Sequence, residues 1–201
     1  VPTKFHAPVA MYCLQQNLPT FLEKPMTDDL HAGEQLIELA KKHHVYLTVG
    51  HIERFNPAII KLKKLVDDGR LGKIISLLSI RVGVIPPKTP HSDVVLDLAI
   101  HDIDIFNYLM SEFPLRTTIH KEKIFSNNIA DSAGIMMEYK HAYGSIQTNW
   151  ITPIKKRTLF VTGTNGFAEL DFIHQKLELY DKLLNLQPSG NYFDLISKYE
   201  A

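Results

Sequence analysis

Residues 20–25 read TFLEKP, a short apolar run that ends in a charged pair and a proline. A run of this length is too short for a helix and is typical of a buried strand that ends at Glu23. The preceding residues 6–16 carry apolar side chains at helical spacing, and the sequence NLP at residues 17–19 ends that helix. The chain therefore enters its first strand from a helix.

A second helix and a second strand follow this stretch. Thr27 is a suitable N-cap for a helix that has one apolar face and runs to about His43. Residues 45–49, VYLTV, have the composition of a strand. Helices alternating with near-continuously apolar strands are typical of a parallel sheet covered by helices. We therefore predict that residues 1–55 form half of a doubly wound α/β fold.

The pattern changes beyond Gly50. Asn56 is a suitable N-cap and Pro57 suits the first helical position, so we predict a helix that ends at residues 67–69. A strand is expected over residues 72–82 and a helix over residues 98–110. The intervening residues 83–90 contain three prolines, which predicts a flap or rim and not a sheet interior.

Short segments rich in β-forming residues follow the last of these helices. We predict strands over residues 117–125, 132–139, 145–151, 158–162, 168–172 and 177–180. The sequence TNG at residues 164–166 is a hairpin signal, because Asn-Gly accepts the positive φ angles of a tight turn. Successive hairpins predict an open, mostly antiparallel sheet, and residues 56–201 are expected to form an α+β domain that is incomplete at its C-terminal end.

Composition limits the possible partners. With 201 residues of which 45% are hydrophobic, the chain can bury a core in one large or two small domains. Lys+Arg and Asp+Glu are both 22, so no overall field favours nucleic acid or a membrane surface. The single cysteine, Cys13, cannot form an internal disulfide and is expected to be a buried, inert thiol, which fits a cytoplasmic location.

Three motifs resemble the glucose-fructose oxidoreductase and inositol dehydrogenase (Gfo/Idh/MocA) family of nicotinamide-dependent sugar dehydrogenases. They are PTKFH at residues 2–6, EKP at residues 23–25 and the pair Asp97 and His101, and they occur in the family's order. More narrowly, VGHIERFNP at residues 49–57 and NWITP at residues 149–153 resemble the branch that acts on nucleotide sugars, such as UDP-N-acetylglucosamine 3-dehydrogenases.

The resemblance covers nearly the whole chain and implies the C-terminal half of a Rossmann domain followed by an open-sheet domain. It implies NAD or NADP as the cofactor and a sugar or UDP-sugar as the substrate. It also implies a homodimer or homotetramer formed through the open sheet. The expected cofactor contacts are Pro2, Thr3, His6, Glu23, Lys24, Pro25 and His51. The expected substrate contacts are Arg54, Asn56, Trp150, Lys155 and Arg157. Two interpretations of the basic cluster Lys155, Lys156 and Arg157 stay open: it grips a pyrophosphate with Trp150 stacking nearby, or it is a solvated strand face.

One departure from the family concerns the phosphate-binding turn. The G-x-G-x-x-G turn and the acidic residue that reads the ribose are not found in this sequence. We therefore expect the chain to be a fragment of a longer dehydrogenase, and the choice between NAD and NADP stays open. The alternative is a non-catalytic scaffold or dimerisation subunit that has lost cofactor binding.

The expected chemistry is the oxidation of a sugar hydroxyl, which needs a base with a pKa near 7. At positions i and i+4 of a helix, Asp97 and His101 share one face, so the carboxylate can orient the imidazole. The resemblance gives Lys24 the role of touching the substrate oxygen and the nicotinamide ribose. Biliverdin reductase chemistry uses a similar fold without this pair, so Asp97 and His101 favour a sugar.

Structural interpretations of the same residues stay open at this point. Asp97 could be a helix N-cap, His101 a core histidine and Lys24 a solvated side chain. Arg54 could belong to a structural ion pair. A metal site formed with Asp102, Asp104 and His91 is not predicted, because Asp102 and Asp104 lie on other helix faces than the pair.

Overall fold

The first part of the chain is a two-stranded parallel sheet with two helices. The structure, a computed structural model, describes residues 1–84, 92–125 and 128–181. After a 3-10 turn at Thr3–Phe5 come α1 (His6–Gln15), β1 (Thr20–Leu22), α2 (Leu30–His43) and β2 (Leu47–Val49). Strands β1 and β2 run parallel, as predicted, with Thr20 opposite Leu47. The buried residues that join these elements are Ala10, Leu14, Leu22, Leu36 and Ala40.

Helix α2 begins two residues later than the sequence suggested. Asp29 is the N-cap, because its carboxylate accepts a hydrogen bond of 2.8 Å from the backbone N–H of Ala32. The hydroxyl of Thr27 donates instead to the carbonyl of Asp29. Cys13 on α1 is only partly buried, so the expectation of a fully buried thiol was wrong.

The second part of the chain is a seven-stranded sheet with two helices on one face. Helix α3 spans Pro57–Asp67, and a π-helical turn at Val95–Ala99 leads directly into α4, Ile100–Met110. The strands are β3 (Ile74–Val84), β4 (Arg116–Glu122), β5 (Ser132–Glu138), β6 (Tyr143–Asn149), β7 (Ile151–Gly163), β8 (Gly166–Asp171) and β9 (Lys176–Asp181). Their order in the sheet is β4-β5-β6-β3-β7-β8-β9.

The sheet is mostly antiparallel, with one exception. Strands β3 and β6 pair in parallel, and every other pair in this sheet is antiparallel. The predicted hairpin at residues 164–166 joins β7 to β8. Asn165 and Gly166 do not adopt the positive φ angles that we expected for that turn. Residues 85–90 of the proline-rich segment, the adjoining His91, and the chain from residue 182 onward lie outside the described residues.

The strand predicted over residues 145–151 is divided in the structure. Strand β6 ends at Asn149, whose side-chain oxygen accepts hydrogen bonds from the backbone N–H groups of Ile151 and Thr152, at 3.0 and 2.9 Å. This Asn-centred turn bends the chain between the two strands. Strand β7 then runs without a break through the strand predicted at residues 158–162.

The main core lies between the sheet and helices α3 and α4. Its buried residues include Leu62 of α3, Phe106 of α4 and Leu77 of β3. Gly144 on β6 permits this packing, because a Cβ atom there would lie 2.5 Å from the Phe106 ring. Among the described residues, no helix is long and apolar enough to cross a membrane.

Candidate active site

Lys24 connects the two parts of the chain. It follows β1, at the carboxyl end of the parallel strands, and its side chain is 19% exposed. The ammonium donates to the main-chain carbonyl of Asp97 at 2.7 Å and lies 3.3 Å from the Asp97 carboxylate. The interpretation of Lys24 as a freely solvated side chain is therefore wrong in this structure.

The π-helical turn changes the expected relation between Asp97 and His101. Residues four apart share a face when a helix has 3.6 residues per turn, and the wider π turn shifts that alignment. The carboxylate of Asp97 contacts Lys24, and the described residues show no hydrogen bond or ion pair between Asp97 and His101. Asp97 therefore does not orient the imidazole as predicted. The N-cap role considered for Asp97 belongs to Asp93, whose carboxylate accepts from the N–H groups of residues 95 and 96.

His101 is a neutral histidine beside a group of cations. Its Nδ1 atom is buried and has no hydrogen-bond partner among the described residues. Burial is the main cause that lowers the pKa of His101 to about 3, and the positive charges of Arg81, Lys24 and Arg157 and the nearby His51 act in the same direction. The prediction that the pKa of His101 lies near 7 was therefore wrong, and the imidazole is neutral throughout the physiological range.

The lowered pKa of His101 predicts a specific response of stability to acid. The unfolded chain takes up a proton near pH 6.5 and the folded chain only near pH 3, so stability is lost as the pH falls through this window. The unchanged chain should lose on the order of 3 kcal/mol more of its unfolding free energy between pH 7 and pH 4 than His101→Gln. Urea unfolding at both pH values measures this. Equal acid sensitivity in His101→Gln and in the unchanged chain would contradict it, and the exposed His120→Gln is the matched control.

A buried ion network includes Asp102, the residue that follows His101. Arg81 on β3 is 1% exposed, and its guanidinium donates to both carboxylate oxygens of Asp102, at 2.7 and 3.1 Å. It also donates to Glu53 at 3.1 Å, while Ser79 donates to Asp102 at 2.8 Å. Burial alone would lower the pKa of Arg81, but the two carboxylates outweigh it and hold that pKa above its usual value. Sequence reasoning missed this network, although an arginine in the middle of an apolar strand was a signal for it.

Arg54 and His51 meet a second carboxylate of α4. The guanidinium of Arg54 forms a bidentate pair with Asp104. His51 Nδ1 lies 3.5 Å from Asp104, a charge contact without hydrogen-bond geometry. Burial is the main cause that lowers the pKa of His51, with Asp104 opposing it. For Arg54 the geometry therefore favours the structural ion pair over the predicted substrate contact.

Two further residues predicted to contact substrate have structural surroundings. The side-chain oxygen of Asn56 accepts from the N–H of Ala58 and its amide donates to the carbonyl of Phe172, so both ends of the amide are used within the protein. Trp150 is 5% exposed and packs with Val94 in a small core cluster. This burial removes the ring from the surface on which a base or sugar would stack.

The residues predicted to contact the cofactor divide into two groups. His6 is buried, with Nδ1 2.9 Å from the carbonyl of Pro25 and Nε2 3.2 Å from the carbonyl of Val1, so it supports the segment that carries Lys24. Pro2 is exposed and Thr3 half-buried at the start of the chain. The second group is Glu23, Lys24 and His51, which follow the carboxyl ends of β1 and β2. Gly50 lets the Glu23 carboxylate lie close to the backbone, because a Cβ atom at Gly50 would be 3.3 Å from that carboxylate.

These side chains lie where open α/β sheets bind their ligands. Ligands of open α/β sheets bind at the carboxyl ends of the parallel strands, which is where Lys24 and His51 lie. His51 Nδ1 and His101 Nδ1 are buried polar atoms that lack hydrogen-bond partners in the described part of the chain. The same part of the chain contains no group of three or more potential ligands that could hold a metal ion, and His91 lies outside it.

A parallel α/β unit whose strand ends meet a helix packed on a second, mostly antiparallel sheet is an arrangement of the Rossmann-type class, in which ligands bind at the strand ends. The chain belongs to the Gfo/Idh/MocA family within this class. Residues 1–51 match the family described as "Oxidoreductase family, NAD-binding Rossmann fold", and residues 59–169 match the "GFO/IDH/MocA C-terminal domain". Both the resemblance stated from the motifs and the predicted fold class are confirmed.

Two relatives with sequence similarity to this chain are dehydrogenases. The UDP-N-acetylglucosamine 3-dehydrogenase of Acidithiobacillus ferrooxidans is 26% identical over 90% of this chain and 56% of its own length. Its solved structure superposes with a TM-score of 0.82 over 90% of this chain and 59% of that chain. The inositol 2-dehydrogenase of Corynebacterium glutamicum (strain R) is 32% identical over 54% of this chain and 33% of its own length.

A further structural neighbour shows likeness of fold alone. An inositol dehydrogenase homolog from Azotobacter vinelandii, solved with NADH and myo-inositol, has a TM-score of 0.84 at 18% identity, over 96% of this chain and 55% of that chain. The chain thus spans about half of the length of this protein and of the A. ferrooxidans relative.

Proposed function

We propose that the protein carrying this chain transfers hydride between the nicotinamide of NAD or NADP and a hydroxyl or ketone carbon of a sugar or nucleotide sugar. The chain supplies the catalytic and substrate-binding side of the site. The single observation that supports this most strongly is the meeting of Lys24 with Asp97 at the strand ends, next to the neutral His101. The named activities of the relatives support the same class of reaction.

In this proposal each residue of the cleft has one task. A bound nicotinamide supplies the hydride acceptor or donor. His101 accepts the hydroxyl proton at Nε2, because Nδ1 is buried. With a pKa of about 3 in this structure it is a weak base, so this role requires that bound substrate and cofactor raise its pKa. The ammonium of Lys24 stabilises the developing alkoxide charge. Asp97 acts through Lys24 as a positioning residue, since its carbonyl and carboxylate both hold the ammonium.

The reaction is tested by following nicotinamide absorbance with a panel of sugars. We expect UDP-N-acetylglucosamine or myo-inositol, the substrates in the relatives' names, to support reduction of NAD or NADP. Each cofactor is offered with each sugar, and a sample without sugar is the control. If a folded protein reduces neither cofactor with any sugar, the proposal fails and the non-catalytic scaffold becomes the better account.

We also propose that the open face of the seven-stranded sheet joins copies of the chain in a homodimer or homotetramer. Leu78 lies opposite Phe160 on the face away from the main core. Phe160, Phe167 and Tyr180 form a row of rings with centroids 5.9 Å apart. Apolar groups in such a row are typical of an interface. A monomeric mass in light scattering would contradict this proposal.

A further inference from the structure

Arg157 occupies an unusual place on the sheet. It lies on β7 directly opposite Arg81 of β3, so the two side chains project from the same face. Like charges at directly opposite positions repel, and Arg157 is also half-buried. Lys156, one residue earlier, projects from the other face and is exposed. The alternation of the strand therefore separates Arg157 from its basic neighbour.

The other cations of this region have anionic partners. Arg81 is paired with Asp102 and Glu53, and Lys24 is paired with Asp97. Arg157 forms no hydrogen bond or ion pair through its side chain within residues 1–84, 92–125 and 128–181. One guanidinium is thus left without a counter-charge in a partly dehydrated position, which is unfavourable unless an anion joins it.

The register of the sheet places Arg157 near the proposed catalytic residues, because it lies opposite Arg81, whose partner Asp102 is the residue after His101. Burial is the main cause that lowers the pKa of Arg157, and Arg81 acts in the same direction. The carboxylates of Glu53 and Asp97 oppose them from a distance. Arg157 is also one of the cations that act on His101. An anion bound by this guanidinium would therefore lie on the His101 side of the site.

We propose that Arg157 binds an anionic substituent of the substrate, a carboxylate or a phosphate, in the cleft beside His101. Guanidinium suits this task because its planar N–H groups bind both oxygens of such a group at once. The inference rests on the proposed function and narrows its substrate class from sugars in general to sugars that carry a negative charge. A neutral polyol would leave Arg157 unpaired.

Binding by isothermal titration calorimetry tests this inference with three probes: UDP-N-acetylglucosamine, which carries phosphates, glucuronic acid, which carries a carboxylate, and neutral myo-inositol. In the unchanged protein we expect at least one anionic probe to bind more tightly than myo-inositol. Arg157→Gln should raise its Kd by about 10- to 100-fold. Lys156→Gln, on the opposite face of the same strand, should leave it unchanged. The probe that responds identifies which anion the site takes.

Arg157→Lys keeps the positive charge but removes the planar guanidinium, so it should recover part of the affinity that Arg157→Gln loses. Thermal unfolding of each variant shows that the fold is retained. The inference is overturned if no anionic probe binds, if myo-inositol binds as tightly, or if Arg157→Gln changes nothing. Undiminished kcat/KM of Arg157→Gln with an anionic sugar that the unchanged protein oxidises would overturn it and leave the proposed function standing. Arg157-dependent binding without any reduction of NAD or NADP would remove the proposed function and leave the anion site.

Discussion

His101→Gln is expected to lower the turnover of the protein that carries this chain by a factor on the order of 10² or more. Glutamine approximates the size of the imidazole and keeps its capacity for hydrogen bonds, but it cannot accept the hydroxyl proton. The measurement is kcat at saturating sugar and cofactor. The exposed His120→Gln should keep full turnover. A His101→Gln protein with unchanged kcat would show that this histidine is a structural core residue.

Lys24→Met should cause a loss of similar size, because the alkoxide charge would develop without its cation. Asp97→Asn should lower turnover less than Lys24→Met does. The main-chain carbonyl of Asp97, at 2.7 Å, still holds the Lys24 ammonium in that variant, and only the contact with the carboxylate at 3.3 Å is weakened. If Asp97→Asn were as damaging as Lys24→Met, Asp97 would have a direct role in the reaction.

Arg81→Met is expected to lower the free energy of unfolding by about 3–5 kcal/mol. The guanidinium is fully buried, and its removal leaves Asp102, which is 1% exposed, as an uncompensated charge in the core. Urea unfolding at neutral pH measures the loss. Lys121→Met, which removes the half-exposed lysine of an ion pair with Asp93, is the control and should cost less than about 1 kcal/mol.

The double variant Arg81→Met/Asp102→Leu measures the net contribution of the ion pair to stability, without an unpaired charge left at Asp102. Removing both charges should restore much of the stability, because buried ion pairs often contribute little beyond what apolar groups of similar size would. A loss below about 1 kcal/mol in Arg81→Met alone would show that Asp102 finds another partner or is reached by water.

Those parts of the fold that depend on neighbouring residues could be predicted from the sequence. The parallel strands β1 and β2 follow from two short apolar runs separated by an amphipathic helix. Helix α3 begins where Asn56 and Pro57 suggested, since capping is a local interaction. The hairpin after Gly163 lies where its turn residues suggested, although Asn165 and Gly166 do not adopt the positive φ angles expected of them. Strand boundaries were less accurate, because Asn149 bends the chain where the composition suggested a continuous strand.

The candidate site depends on long-range contacts, which explains what the sequence did not predict. The π turn at Val95–Ala99 directs Asp97 to Lys24, which is 73 residues away in sequence, and no local pattern identified it. The low pKa of His101 arises from burial and from cations on other strands. Tryptophan is a residue type that often stacks on ligands, but the turn after β6 places Trp150 in the core. The residue types of the cleft were predictable, whereas their pairing required the fold.

The most direct test of the account is a double-variant cycle on Lys24 and His101. The single-turnover rate of nicotinamide reduction is measured for the unchanged protein, Lys24→Met, His101→Gln and the double variant. Residues that act on the same step in one cleft have non-additive effects, so the double variant should be little slower than the slower single variant. A shared proton-transfer site would be contradicted if the rate loss of the double variant equalled the product of the two single losses. It would also be contradicted if the double variant reacted as fast as the unchanged protein.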